Sequence, residues 1–226
     1  MLWADRLSAG AMLLRRAPRE DTGLIIRTGN LVIRPPRMDD YLAWAKARDE
    51  SRAFLAPWEP IWPSDDLTRS AFRRRLTRYD LEIRRDEAYP FLVFLEDNRT
   101  PVGGLTLGNV RRGVSQTASL GYWMAQSHAG RGIMTSAVLA ICHFGFLKLM
   151  LHRIEAACLP ENGPSIRLLE KAGFLTEGRA RQYLCIAGEW RDHLLFARLA
   201  QDLPGRPTSS SVADGRSTAE GEKTTR

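Results

Sequence analysis

Cysteine is scarce in this chain and histidine hardly commoner, with 3 and 4 of 226 residues. Cys142, Cys158 and Cys185 are odd in number and scattered through apolar segments. Such a set does not form a disulfide framework, so they read as reduced core residues of a cytoplasmic protein. No Cys or His pair stands at ligand spacing, and no metal site is expected. Long apolar runs are also missing: nothing approaches the roughly 18–20 residues of a membrane-crossing helix. Met12-Leu13-Leu14 is cut short by Arg15 and Arg16, which leaves no secretory h-region. Two phosphate-binding signatures are absent as well. There is no Gly-x-x-x-x-Gly-Lys-Ser/Thr, and no Gly-x-Gly-x-x-Gly behind a strand. P-loop NTPases and Rossmann dinucleotide-binding proteins are therefore unsupported.

What the chain has is positive charge, +7 at neutral pH with a pI of about 9.8. A basic balance favours anionic partners such as coenzyme phosphates, RNA or a nucleoprotein particle, without choosing between them. Neither DNA nor a membrane is expected as a partner. Arg73, Arg74, Arg75, Arg78, Arg84 and Arg85 surround Phe72, Leu76, Tyr79 and Ile83, spaced four, three and four apart. That is the solvated side of an amphipathic helix.

Three regions follow from composition. Residues 1–28 show no clear period and read as an extension, in which Met12 is an alternative start. Residues 203–226 carry Pro204, Pro207 and three consecutive serines but no aromatic residue, and are expected to be a disordered tail. Residues 29–202 form one domain. In it, strands are expected at Leu31–Ile33, Phe91–Leu95, Val102–Leu107 and Thr117–Met124, then at Arg153–Leu159. A last hairpin spans Arg179–Ile186 and Trp190–Leu199. Helices are expected through Trp44, over 72–83, after Gly132, and over Ser165–Lys171. Leu55–Pro60 is too proline-rich for either and reads as a structured loop. The fold class is α/β of the α+β type: a mixed, mostly antiparallel twisted sheet of about six to seven strands, with helices on both faces.

The segment His128-Ala129-Gly130-Arg131-Gly132 joins a strand to a helix. The first N–H groups of a helix have no internal partner, and its dipole puts partial positive charge there. Glycine lets a pyrophosphate come close, and Arg131 adds a formal charge. Downstream, Asn162 is followed three residues later by Ser165, then by Leu168 and by Gly173-Phe174. Together the two segments resemble the GNAT (Gcn5-related) N-acetyltransferase superfamily. Phe54–Pro60, Gly130–Met134, His152–Ile154 and Tyr183–His193 sharpen the resemblance to its RimJ/RimL-like branch, the ribosomal-protein alanine N-acetyltransferases. In that branch a methionine at position 134 is usual.

The resemblance implies the GNAT fold, acetyl-CoA as cosubstrate, and direct attack of an amine on the thioester. It places Gly130, Arg131, Gly132, Ile133 and Met134 at the coenzyme phosphates. The Met124 backbone, with Trp123 and Ala125 beside it, lies near the carbonyl that must be polarised. Asn162 either contacts the pantetheine arm or caps a helix. A proton donor for the thiolate is harder to find, because the family tyrosine is replaced here by Leu169. Ser165 and Tyr183 are substitutes; each has an alternative, as a helix-start hydroxyl and as a packed strand residue. Glu155 is the base candidate, with Glu59 and His128 behind it. Asp192 and His193 are adjacent on a strand, point to opposite faces and read as structural. Trp44, Trp58 and Trp62 line an acceptor channel or pack in the core.

The expected acceptor is the N-terminal α-amine of a protein, with small-subunit ribosomal proteins as candidates. The expected assembly is a monomer or homodimer. Two alternatives stay open: acetylation of a small-molecule amine, and a non-catalytic ribosome-, RNA- or CoA-binding role.

Overall fold

A computed structural model describes residues 23–97 and 99–203. Most of the 1–28 extension, nearly all of the 203–226 tail and Asn98 of the 97–100 turn lie outside the described residues. One eight-stranded sheet runs in the order β1-β2-β3-β4-β5-β6-β8-β7. Its strands are β1 (Ile26–Thr28), β2 (Leu31–Arg34), β3 (Tyr89–Leu95), β4 (Pro101–Arg111), β5 (Thr117–Met124), β6 (Arg153–Cys158), β7 (Leu175–Ile186) and β8 (Glu189–Leu199). The helices are α1 (Tyr41–Glu50), α2 (Arg52–Leu55), α3 (Arg69–Arg84), α4 (Ile133–Leu147) and α5 (Gly163–Lys171).

The sheet has more strands than the six or seven expected. The extra one is β1, which pairs Ile26 with Ile33 and Thr28 with Leu31 across the two-residue loop Gly29-Asn30. It lies within the segment read as an extension. Three residues are too few to show a period of two, and the hairpin partner is what makes them a strand. The proline-rich Leu55–Pro60 segment is also more ordered than a loop. It follows the short helix α2, and Pro57 is accommodated in a single 3-10 turn over Ala56–Trp58.

The sheet buries both faces. α4 and α5 cover one, where Leu107, Ile141, Phe146 and Ile154 are essentially inaccessible. α1 and α3 cover the other, closing Trp44, Phe72 and Leu76 over Val32, Leu92 and Phe94. α3 has the expected stripe, and Arg73, Arg74, Arg78, Arg84 and Arg85 are exposed around it. Two of the three cysteines, Cys142 and Cys158, are buried; Cys185, on edge strand β7, is exposed and so departs from the core reading. Among the described residues no helix is long and apolar enough to cross a membrane.

All neighbouring pairs are antiparallel except β5 and β6. Those two are joined through α4, as parallel neighbours must be by a crossover. Their ladder ends at Leu120–Ala156, while β5 runs on to Met124 and β6 to Cys158. The strands therefore part, and the gap between them is the site.

Candidate active site

The parting strands open a cleft of about 620 Å3. Antiparallel ladders alternate the direction of successive amides. Ala125 N–H donates to Val102 O at 2.9 Å, and β5 pairs Trp123 with Gly104 and Met124 with Gly103. Trp123 therefore turns its amide towards β4, and Tyr122 and Met124 turn theirs towards the gap. Side chains follow the same period: Leu120, Tyr122 and Met124 face the α4 side, while Gly121 and Trp123 face α1 and α3.

The glycine turn forms the floor. Gly130 and Gly132 have φ of +76° and +75°, in the left-handed region that favours glycine. A Cβ at either would meet nothing within 4 Å, so both leave open space above the turn. Gly132 is the N-cap of α4, no side chain caps the helix, and its first internal bond is Ser136 N–H to Gly132 O at 3.1 Å. The amides of Ile133, Met134 and Thr135 precede that bond and line the cleft. Arg131 is exposed beside them, and Arg167 and Lys171 approach from α5. Met134 is buried and packs under Gly103, where an added Cβ would stand 2.8 Å from its Cε. Its side chain thus anchors the helix while its backbone faces the cleft.

The opposite wall holds the polar groups. Asn162 caps α5: its Oδ1 accepts from Ser165 N at 3.1 Å, and the residue also lines the cleft. This supports the capping alternative for Asn162 and leaves its amide nitrogen beside the cleft. The Ser165 hydroxyl lies 2.6 Å from the Tyr122 hydroxyl, and either can donate. Burial pushes Tyr122 up to about 12, although the Ser165 hydroxyl works against that. The Cys158 thiol is also pushed up by burial, again opposed by Ser165. Three protonated groups thus meet where β5 and β6 part. Tyr122 was not singled out from the sequence. The signal was its position two residues before Met124 on one strand face; its partner lies 43 residues away.

The other candidates divide between the cleft and its surroundings. The Glu155 carboxylate accepts from Arg153 Nε at 2.8 Å, and Arg153 also holds Glu177, so the structure does not bring Glu155 into the cleft. Tyr183 is exposed and stands edge-on to His193 at 5.8 Å; its neighbours Leu184 and Ile186 are the β7 residues that line the cleft. Asp192 and His193 do point apart. Asp192 is held low by the Gln182 amide and then by Arg179, while buried His193 faces the cleft and contacts Arg191 O at 3.0 Å. His128 lines the cleft, its Nδ1 2.9 Å from Ser127 Oγ. Glu59 also reaches it, gripped by Arg48 at 2.8 and 2.7 Å and by Trp62 Nε1 at 2.7 Å. Trp58 lines the cleft, Trp44 is core, and Trp62 stacks on the Arg48 guanidinium at 4.1 Å.

Leu169, at the position where the family carries tyrosine, is fully buried in the α4–α5 core. Leu169 is not among the residues that line the cleft. Leu169→Tyr is expected to overpack the core, lowering stability by about 1–3 kcal/mol without raising turnover. Thermal unfolding beside steady-state kinetics checks this; a faster enzyme would mean that the tyrosine reaches the site.

A parted parallel strand pair, with free helix amides at its mouth and hydroxyls in its wall, can hold an anionic ligand beside proton-donating groups. The family described as "Acetyltransferase (GNAT) domain" matches residues 30–175. "Probable N-acetyltransferase YjcK" of Bacillus subtilis is 36% identical over 178 residues, 79% of this chain and 98% of that protein. The "[Ribosomal protein uS5]-alanine N-acetyltransferase" of Escherichia coli is 35% identical over 182 residues, covering 80% and 94%. Among solved structures, Mycobacterium smegmatis RimJ in complex with CoA-disulfide superposes with a TM-score of 0.74 at 37% identity, covering 80% and 88%. The chain belongs to the GNAT N-acetyltransferase family, with homologues in its RimJ/RimL-type branch.

Proposed function

We propose that this protein transfers the acetyl group of acetyl-CoA to the α-amine of a protein N-terminus, an N-terminal alanine of a ribosomal protein being the favoured acceptor. The Tyr122–Ser165 hydroxyl pair, in the wall of a cleft whose floor is the uncapped α4 N-terminus, carries the reading. The acceptor is suggested by the uS5-alanine enzyme, 94% of whose length this chain matches. The cleft suits the coenzyme. Two left-handed glycines with open space above them admit a pyrophosphate, and Arg131, Arg167 and Lys171 supply positive charge.

When bound, acetyl-CoA supplies an activated acetyl group as a thioester. The α4 amides with Arg131 hold the phosphates, and the Asn162 amide meets the arm. The Met124 N–H, turned into the gap, donates to the acetyl oxygen as negative charge develops there. Ser165, backed by Tyr122, gives a proton to the departing sulfur. An α-amine, with a pKa near about 7.7–8.0, needs less help to lose its proton than a lysine side chain. That suits a cleft whose Glu59 is engaged by Arg48 and into which Glu155, held by Arg153, does not reach.

The test is incubation with labelled acetyl-CoA and an extract whose protein N-termini are unacetylated, with acceptors mapped by mass spectrometry. The expected result is label on a protein α-amine. Label on metabolites alone would give the protein to the small-molecule reading; coenzyme binding without label would make it non-catalytic.

A further inference from the structure

In the proposed transfer Ser165 gives a proton to the departing sulfur, but the attacking nitrogen must also lose one as an amine becomes an amide. We propose that His193 is the general base for that step: its Nε2 takes the proton as nitrogen bonds to the acetyl carbon, directly or across one water. The proposal rests on the reading of the protein as an acetyltransferase for α-amines, and adds the proton acceptor to it.

The position of His193 follows from register. The β6–β8 ladder ends with Cys158 opposite Leu194, so His193 is the β8 residue just past the last pair, level with the gap. Leu194 and Cys158 pack with the α4–α5 core, where Ser165 and Tyr122 also meet. Successive strand residues point to opposite faces, so His193 approaches the cleft from the other face of the sheet. The proton donor for sulfur and the acceptor for nitrogen therefore flank the gap from two sides. Each can act on its own substituent of the reacting carbon without displacing the other.

The ring is oriented for the task. Its Nδ1 lies 3.0 Å from Arg191 O, and a carbonyl can only accept, so Nδ1 carries the proton and Nε2 keeps its lone pair. Tyr183 stands edge-on to the ring at 5.8 Å and limits its rotation. Among the described residues, the side-chain nitrogens and oxygens buried without a partner all belong to Arg198, so the unbonded Nε2 keeps access to the cleft. The charged groups around His193 are already engaged. Arg191 holds Glu161 at 3.1 Å, Arg153 holds Glu155, and both oxygens of Glu59 receive Arg48. His128, the other cleft imidazole, belongs to the turn that runs into Gly130, beside the proposed phosphate site.

The step balances. Solvent takes the first proton of the ammonium, which leaves a neutral amine. The nitrogen lone pair then forms the N–C bond, and Nε2 accepts one N–H proton. The C–S bonding pair leaves with sulfur, which takes the Ser165 proton. The imidazolium returns its proton to solvent and Ser165 regains one, so amine and thioester become amide and thiol.

The experiment uses the full chain with acetyl-CoA and an Ala-initiated peptide. His193→Gln keeps a donor for Arg191 O but has no basic nitrogen. It is expected to lower kcat/KM by about 10²-fold, with the dissociation constant for coenzyme A within about twofold of wild type. On the acid side of the pH profile, wild-type kcat/KM is expected to fall with the square of the proton concentration, because amine and base must both be deprotonated. In His193→Gln it is expected to fall with the first power, a change that a packing defect does not produce. His193→Ala leaves room for a free imidazole, and added imidazole is expected to restore turnover. A loss below about threefold in His193→Gln, or an acid limb with the wild-type slope, overturns the base and leaves the acetyltransferase reading standing. If the wild type acetylates no amine, both fall.

Discussion

Tyr122→Phe is expected to lower kcat by about 10²-fold, and Ser165→Ala by at least as much, with coenzyme affinity unchanged. General acid catalysis contributes roughly 10²–10⁴-fold, and the two hydroxyls 2.6 Å apart act as one unit. The double variant is therefore expected to be little worse than the poorer single one, because neighbours in one network are not additive. The pH profile separates this from a structural effect. Burial holds the Tyr122 hydroxyl near 12, so it stays protonated through neutral and moderately alkaline pH. The wild-type rate should rise as the acceptor amine loses its proton, near about 7.7–8.0 for an α-amine. No fall attributable to Tyr122 is expected below about pH 10, because a group whose proton is held more tightly still carries it there. Near-wild-type turnover in both single variants would remove the pair from the chemistry.

Gly132→Asp is expected to weaken coenzyme binding by about 10²-fold. The free protein has open space at this Cβ, so the loss must come from the ligand's side. A carboxylate at the mouth of α4 repels the phosphates that the bare amides attract. The left-handed φ of +75° adds a backbone cost of about 1–2 kcal/mol, which appears in stability instead. An aspartate at an N-cap also favours its helix, offsetting part of that cost. Gly132→Ala has the strain without the charge. Calorimetric titration with coenzyme A should therefore show Ala losing little affinity and Asp losing much. Equal affinities for wild type and Asp would move the phosphate site away from this turn.

The two experiments probe different layers of legibility. The proposed phosphate turn is local: Gly130, Gly132 and the helix that follows are contiguous, and the open space above them follows from backbone conformation. The proposed acid is not local. Tyr122 and Ser165 sit on different elements, and only the parting of β5 from β6 brings them together. Glu155 and Tyr183 show the reverse. Each is chemically suitable and near the cleft in sequence order, yet the first is taken by Arg153 and the second stands on an exposed edge strand. Leu169, which the resemblance places where the family carries tyrosine, is completely buried. Asn162 was legible as either of two roles, and the contact at 3.1 Å supports the cap.

The amino-acid sequence by itself determined the order of the elements, because apolar periods of two and of three to four are written into consecutive residues. It also determined the α4 turn, the amphipathic α3 with its solvated arginines, and the family. Tertiary structure alone decided three things: that Ile26–Thr28 is an edge strand, that Tyr122 joins Ser165, and that Glu59 at the cleft is held by Arg48. The physical reason is the same in each case. A period or a turn depends on neighbours along the chain, whereas a strand partner, a hydroxyl pair or a buried ion pair depends on groups that only packing brings within hydrogen-bonding distance.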